Sequence, residues 1–278
     1  MHKPLVTLGV PVRNGAATLA AALDSCVGQD YPNLEVIISD NASSDATPEI
    51  ARSYADRYPF VRIVRQDDPL TAIDNFLFVM NEARGKFFMW CAHDDTRSPD
   101  FVSSLLPAFD DPATVLAFGD LYICDGRSTP RKREDYDFVS EGLCVRERLY
   151  KAANVQCYHI YGLWRLSALR AIRYRYTHWW SDLPIMLAAS AIGCFHYVKG
   201  PEFRYFEIAK TAEERAPYQD NRVGNSRIKN FSALYSSILV TVGHTAGIWP
   251  AFLSFAFVSD KYIREALRRV RRKVGVSY

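Results

Sequence analysis

From residue 5 to residue 92 the chain alternates short strand-forming runs with stretches of helical periodicity, and this alternation limits the available folds more than any other feature. Residues 5–10 (LVTLGV) are rich in β-formers and end at Pro11. Between Ala16 and Gln29, the apolar positions Leu19, Ala22, Leu23, Cys26 and Val27 follow i, i+3, i+4, i+7, i+8, the spacing of one helix face. Residues 35–39 (EVIIS) give a second strand that ends at Asp40, and a polar loop leads to Pro48, suited to the first position of a helix reaching about Tyr58. Residues 61–65 (VRIVR) form a third strand. Ile73, Phe76, Leu77 and Met80 mark the inner face of a third helix, closed by Gly85, and residues 86–92 (KFFMWCA) complete the series. Strands joined through helices pair in parallel and are covered on both faces. The expected class is therefore α/β, with a mostly parallel sheet flanked by helices. The polar loops after strands one, two and four leave from its carboxyl edge, where open α/β sheets hold their ligands.

Beyond this repeat, Ser98-Pro99 opens another helix and residues 114–124 (TVLAFGDLYIC) read as a fifth strand. Residues 125–140 are charged and turn-rich and read as a solvated loop. From Gly142 onward helical patterning dominates, with a short strand candidate at 195–198. Two domains are expected: 1–228, with a ligand-binding half 1–125 and a second half 126–228, and a helical C-terminal extension 229–278.

Composition limits the classes of function. At 278 residues, 49% hydrophobic and 23% charged, the chain can bury a sizeable core. A net charge of +3 is too small to imply nucleic acid as a partner. The six cysteines, at 26, 91, 124, 144, 157 and 194, are scattered without a C-x-x-C pair and read as buried free thiols of a reducing compartment. No secretory signal precedes the first strand, so a cytoplasmic location is expected.

The strongest chemical signal is the end of the fourth strand, where Trp90-Cys91-Ala92-His93 runs into Asp94-Asp95. Buried carboxylates are costly unless they pair or bind a metal, and oxygen ligands at a strand end suit Mg²⁺ or Mn²⁺. Taken alone, the two residues read more readily as the start of a turn before Ser98-Pro99. Strand one is not followed by G-x-G-x-x-G, which argues against a dinucleotide-dependent dehydrogenase, and the chain has no G-x-x-x-x-G-K-[ST] phosphate loop. Loop 40–45 is no EF-hand, because Ala42 stands at a ligand position.

Three motifs share the expected carboxyl edge: Val10 to Asn14 after strand one, Ser39 to Thr47 after strand two, and Gly85-Lys86-Phe87 through Asp95 around strand four. In this order they resemble the family 2 glycosyltransferases, which have the GT-A fold. The likeness covers about residues 4 to 125. It implies a nucleoside diphosphate sugar as donor and a saccharide or lipid-linked saccharide as acceptor. The reaction would be an inverting, metal-assisted transfer in cell-surface polysaccharide or lipopolysaccharide synthesis. By the same resemblance, Pro11, Val12, Arg13 and Asn14 would line the nucleotide, and Asp40 with Asn41 would meet the base. Asp94 and Asp95 would hold the ribose and the Mg²⁺ or Mn²⁺ that bridges the diphosphate. The chain departs from the family at Ala92, where many members carry the first Asp of Asp-x-Asp. That departure motivates an alternative reading, a nucleotide-sugar-binding protein without catalysis.

An inverting transfer needs a base for the acceptor hydroxyl. Asp182, in the segment His178 to Pro184, lies where the family places it, although an Asp at the start of a helix also serves as an N-cap. Trp179 and Trp180 beside it suit either sugar stacking or core packing. Gly162-Leu163-Trp164-Arg165 resembles a bacterial family element in which Arg165 grips acceptor or phosphate. Arg204 and Lys210 stand where members contact diphosphate.

At the C-terminus an apolar stretch, 231–259, precedes Lys261, Arg264, Arg268, Arg269, Arg271, Arg272 and Lys273. It falls short of the roughly 20 clean apolar residues that a spanning helix needs. A core helical hairpin and a monotopic contact with the anionic inner face of the cell membrane both fit it.

Overall fold

The computed structural model describes residues 3–125, 130–133, 138–154, 157–173, 182–207 and 227–274. It divides into two compact units: one of residues 1–139, 158–169 and 195–221, the other of 140–157, 170–194 and 222–278.

The first unit is built on the expected alternation. Strands β1 (Val6–Val12), β2 (Leu34–Asp40), β3 (Val61–Arg65) and β4 (Phe87–Trp90) are separated by helices α1 (Leu19–Val27), α2 (Thr47–Arg57) and α3 (Ala72–Glu82). They pair in parallel in the order β3-β2-β1-β4, with Val12 opposite Asp40 and Gly9 opposite Trp90. Every residue of β1, β2 and β4 is buried, which is why these strands are mostly apolar. The register brings the ends of β1, β2 and β4 out together on the carboxyl edge.

Past β4 the sheet turns antiparallel. Two-residue β5 (Thr96–Arg97) follows β4, then α4 (Phe101–Leu105), a 3-10 turn Leu106–Asp110, and β6 (Thr114–Cys124). Residues β7 (Arg131–Lys132), β8 (Leu163–Arg165) and β9 (Cys194–Phe206) extend the order to β4-β8-β6-β9-β5, with β7 on β6. Three features depart from the sequence reading. Part of the expected loop 125–140 is strand, because Lys132 pairs with the buried Asp120 at 2.9 Å and fastens β7 to β6. The strand expected at 195–198 runs for 13 residues, since Gly119 on β6 leaves room for the Pro201 carbonyl of β9 where any side chain would clash. Tripeptide β8 was too short to carry a periodic signal.

The second unit is helical: α5 (Val145–Asn154), α7 (Asp182–Ile192), α8 (Arg227–Ala246) and α9 (Ile248–Val274) pack together, while α6 (Leu166–Ala171) bridges the boundary in sequence. It reaches further back along the chain than the expected extension 229–278. The reason lies in α7, whose residues Leu183 to Ser190 are all buried, so that it forms the unit's centre. Helices α8 and α9 make an antiparallel hairpin around Gly247 at φ +94°, with Ile238, Val242, Ala251 and Val258 inside. The thiols do not behave alike. All six are free, but Cys144 is exposed and Cys157 and Cys194 are half-buried, against the expectation of uniform burial.

Candidate active site

The first two exit loops form one ledge. Asn14 sits at φ +51°, a left-handed conformation that Asn tolerates better than most residues. Its backbone N–H donates to Ser43 Oγ at 2.9 Å, and its Oδ1 accepts from the Ser44 N–H at 2.9 Å. Gly15 N–H donates to Thr47 Oγ1 and Ala16 N–H to Asp45 Oδ2. Asp45 is partly desolvated, yet the bonds from Thr47 and Ala16 outweigh this and hold its carboxyl below the ordinary range. Gly15 is required by space: a Cβ would lie 2.6 Å from Val12 Cγ2 and 2.9 Å from His93 Nδ1. Asn41 is buried and exchanges two hydrogen bonds with the backbone of Leu70. Asn14 and Asn41, expected at the nucleotide, thus brace the loops that would hold it. Pro11 and Val12 are buried beneath the ledge, and Arg13 stands exposed on it.

Asp40, at the end of β2, is wholly buried and fully engaged. Oδ1 accepts from the Ser43 N–H at 3.1 Å, and Oδ2 takes Arg65 Nη1 at 2.7 Å. Arg65 ends β3, is half exposed, and also donates to the Ser43 carbonyl. Each carboxylate oxygen carries two lone pairs, so acceptor capacity remains on Asp40. The accessible group at this spot is nonetheless Arg65, which the sequence reading missed.

The β4 exit is built differently. Asp94 is half-buried, and Asp95 is 1% exposed. Asp95 Oδ1 accepts from the Phe206 N–H at 2.9 Å, whereas Oδ2 has no hydrogen-bond partner among the described residues. Burial first, and then the charge of Asp94, push the Asp95 carboxyl up to about 7, against the Phe206 bond and the nearby Arg97 cation. Arg97 is itself buried. It donates to the Trp90 and Tyr161 carbonyls and lies over the Phe203 and Phe101 rings, which ties the last residue of β4 to β9. Along β9 the alternate residues Phe203 and Tyr205 face Tyr161 and Tyr158, with ring centroids 5.5 and 4.9 Å apart. The outer rung, Tyr158–Tyr205, is half-buried near the carboxylates. Desolvation and the neighbouring Tyr158, Asp95 and Asp94 raise the Tyr205 hydroxyl to about 12, so it stays a neutral donor. Neither tyrosine carried a sequence signal, because β9 and the 3-10 turn Cys157–Tyr161 that bring them together are tertiary features.

The remaining expected residues are dispersed. Arg204 pairs across from Thr96, beside the carboxylates, but its guanidinium is bound to Glu202 at 2.7 Å. Arg165 must be corrected. It is opposite Phe87, the first residue of β4, and so stands at the amino end of the sheet. There it donates to the carbonyls of Thr114, Phe109 and Asp111, closing the 3-10 turn before β6. Asp182 is the first residue of α7 in the helical unit. Its side chain keeps an exposed face, but surrounding protein desolvates it enough to lift its carboxyl to about 6. Lys210, Trp179 and Trp180 lie outside the described residues.

The β4 exit fits a hard divalent cation. Asp95 offers an unsatisfied buried oxygen, Asp94 a second carboxylate, and both are oxygen donors. Among the described residues no cluster of three or more His, Cys, Asp or Glu side chains could complete a protein-only metal site, so the other ligands would be phosphate and water oxygens. Bound there, Mg²⁺ or Mn²⁺ would supply Lewis-acid neutralisation of a departing diphosphate.

An α/β sheet with three polar exits on one edge and a carboxylate pair at the third has the layout of the GT-A fold. The sequence matches the model of Glycosyl transferase family 2 over residues 7–171, and the chain belongs to that family. It is 33% identical over 100 residues to an uncharacterized glycosyltransferase of Rickettsia prowazekii, covering 36% of this chain and 30% of the relative. It is 32% identical over 126 residues to the putative glycosyltransferase EpsH of Bacillus subtilis, covering 45% and 34%. The matched stretch thus spans about a third of those relatives' own length. Among solved structures, S. aureus TarS 1–349 in complex with UDP-GlcNAc superposes with TM-score 0.65 at 14% identity, covering 86% of this chain and 67% of TarS 1–349. The mannosyltransferase PcManGT of Pyrobaculum calidifontis, in complex with GDP-Man and Mn²⁺, gives 0.59 at 18% identity, covering 99% and 81%. These likenesses support the GT-A fold.

Proposed function

We propose that this glycosyltransferase moves a hexosyl group from a nucleoside diphosphate sugar to a hydroxyl of a saccharide or lipid-linked saccharide, with inversion, in cell-surface polysaccharide or lipopolysaccharide synthesis. The observation that carries the reading is the buried Oδ2 of Asp95 beside Asp94, which has no hydrogen-bond partner among the described residues. A fold tolerates such an oxygen poorly unless a cation satisfies it. The Mn²⁺ and nucleotide sugar of PcManGT support the same chemistry here.

In this reading the ledge of Arg13, Asp40 and Arg65 receives the nucleotide, and Asp94 and Asp95 hold Mg²⁺ or Mn²⁺. The Tyr158–Tyr205 rung offers flat apolar faces with neutral hydroxyl donors, a surface suited to a sugar ring. Arg204 and Lys210 contribute positive charge toward the diphosphate. Asp182 removes the acceptor proton: a carboxyl lifted to about 6 is a stronger base than an ordinary carboxylate and is still ionised at neutral pH.

Calorimetric titration with UDP, GDP and dTDP, each with and without Mn²⁺, tests the donor site. The expected result is metal-dependent binding of one of them, and binding of none would defeat the reading. Ala92, in place of the first Asp of the metal motif, favours the second reading, a binding protein without turnover. Release of free sugar or formation of glycoside from the bound donor separates the two, and the configuration of the product tests inversion.

The protein is also assigned to the inner membrane face, held peripherally through residues 240–275. Among the described residues no helix is long and apolar enough to cross a membrane, and the cation-rich end of α9 supports contact with anionic lipid. Flotation with anionic vesicles at low and high salt tests this, with binding expected at low salt alone.

A further inference from the structure

The most exposed large apolar side chains among the described residues lie together at the α8–α9 turn. Ile248 is 87% exposed, Trp249 68% and Phe252 59%. The Trp249 and Phe252 rings stack on one another, with centroids 6.3 Å apart and planes 11° apart. Packing of the hairpin does not require them, since its seam is made by other residues. A Cβ added at Gly243 would lie 3.7 Å from the Ala251 Cβ, so the helices approach closely there; Tyr235 meets Phe255, and Ile238, Val242 and Val258 are fully buried. The apex is also anchored, because the Arg173 N–H donates to Thr245 Oγ1 at 3.2 Å. From 230 to 259 the sequence contains no Asp, Glu, Lys or Arg, and the cation-rich stretch 261–273 follows on the same helix.

A rigid apolar knob on an uncharged hairpin marks an interaction surface. Two features select its occupant. Tryptophan at an exposed apex suits the headgroup boundary of a bilayer, where its ring is buried and its N–H stays wet. The cationic stretch complements anionic lipid, whereas a second copy of the chain would bring like charge against like. We infer that the apex formed by Ile248, Trp249 and Phe252 inserts into the interfacial layer of an anionic bilayer, with stretch 261–273 supplying the electrostatic part. The inference rests on the peripheral-membrane reading above and adds the element that enters the lipid. Insertion is taken as monotopic, since among the described residues no helix is long and apolar enough to cross a membrane.

The test uses the full chain and vesicles of phosphatidylcholine with or without phosphatidylglycerol. Bromine-labelled acyl chains should quench part of the tryptophan emission, and Trp249→Phe should remove that part while the other four tryptophans remain. The double variant Trp249→Ser, Phe252→Ser should bind anionic vesicles at least tenfold more weakly with an unchanged melting temperature, because both side chains are exposed. Failure of the wild type to float with anionic vesicles at low salt would remove the membrane reading itself. Flotation with equal quenching in Trp249→Phe, or equal binding by the double variant, would overturn only the apex. Lipid-free dimerisation abolished by the double variant would assign the knob to self-association instead.

Discussion

Asp40 and Asp95 stand at two exits of one sheet edge, on either side of β1, both buried, and the fold treats them in opposite ways. Asp40 has a cation at 2.7 Å and a backbone N–H on its other oxygen. Asp95 has one backbone N–H, a second carboxylate beside it, and an oxygen with no partner among the described residues. The first arrangement stabilises the ledge. The second stores unfavourable electrostatics that a divalent cation would relieve. Burial alone therefore does not distinguish a structural carboxylate from a functional one; the state of its acceptors does.

The largest expected effect sharpens that contrast. Asp95→Asn should lower transfer by at least about 10³-fold, since metal assistance contributes several kcal/mol. In chelator, the same change should stabilise the fold at alkaline pH. The sign follows from the raised carboxyl: between about pH 4 and 7 the folded protein holds a proton that the unfolded chain releases, so stability falls as pH rises through that window. The span is on the order of 2–4 kcal/mol. Thermal unfolding at pH 5 and pH 8 should show it in the wild type, and Asp95→Asn should reduce it to the smaller share of the same sign that the raised Asp182 carboxyl contributes. A pH-independent wild type would break the contrast.

Asp182→Asn comes next, with a loss of about 10²–10³-fold in kcat and donor affinity intact. In the wild type, kcat should fall as pH drops through about 6, as the base becomes protonated. An unchanged acid limb in the Asn variant would assign that limb elsewhere.

Asp40→Asn should do the reverse of Asp95→Asn in chelator and destabilise the fold. The half-exposed Arg65 limits the cost to about 2 kcal/mol, below the value for a fully buried pair. Chemical denaturation measures it. The smallest effect is expected from Tyr205→Leu: about 1 kcal/mol, or roughly fivefold, in KM for the nucleotide sugar, with affinity for the free nucleotide unchanged.

Much of this was legible in residue order. The spacing at Leu19–Val27 and the mostly apolar runs at Val6–Val12 and Phe87–Trp90 announce the parallel half, because strands buried on both faces are predominantly apolar. The exits containing Asp40 and Asp94-Asp95 follow from it. Arg165 was misplaced because a three-residue strand carries no sequence signal of its direction, and β8 runs antiparallel to β4. Arg65, Tyr158 and Tyr205 were missed because each matters through a partner distant in sequence.

By itself, then, the sequence determined the alternating α/β order, the carboxyl edge and the residues at its three exits, since periodicity and burial are local properties that a linear pattern can record. The tertiary structure alone decided which polar groups at that edge are satisfied. Asp40 is paired because β3 delivers Arg65 to it. Asp95 keeps an oxygen without a partner among the described residues because β9 brings it a single N–H and none of them brings a cation within bonding distance. Hydrogen-bond saturation is settled between chain segments far apart in sequence, and no spacing rule encodes it.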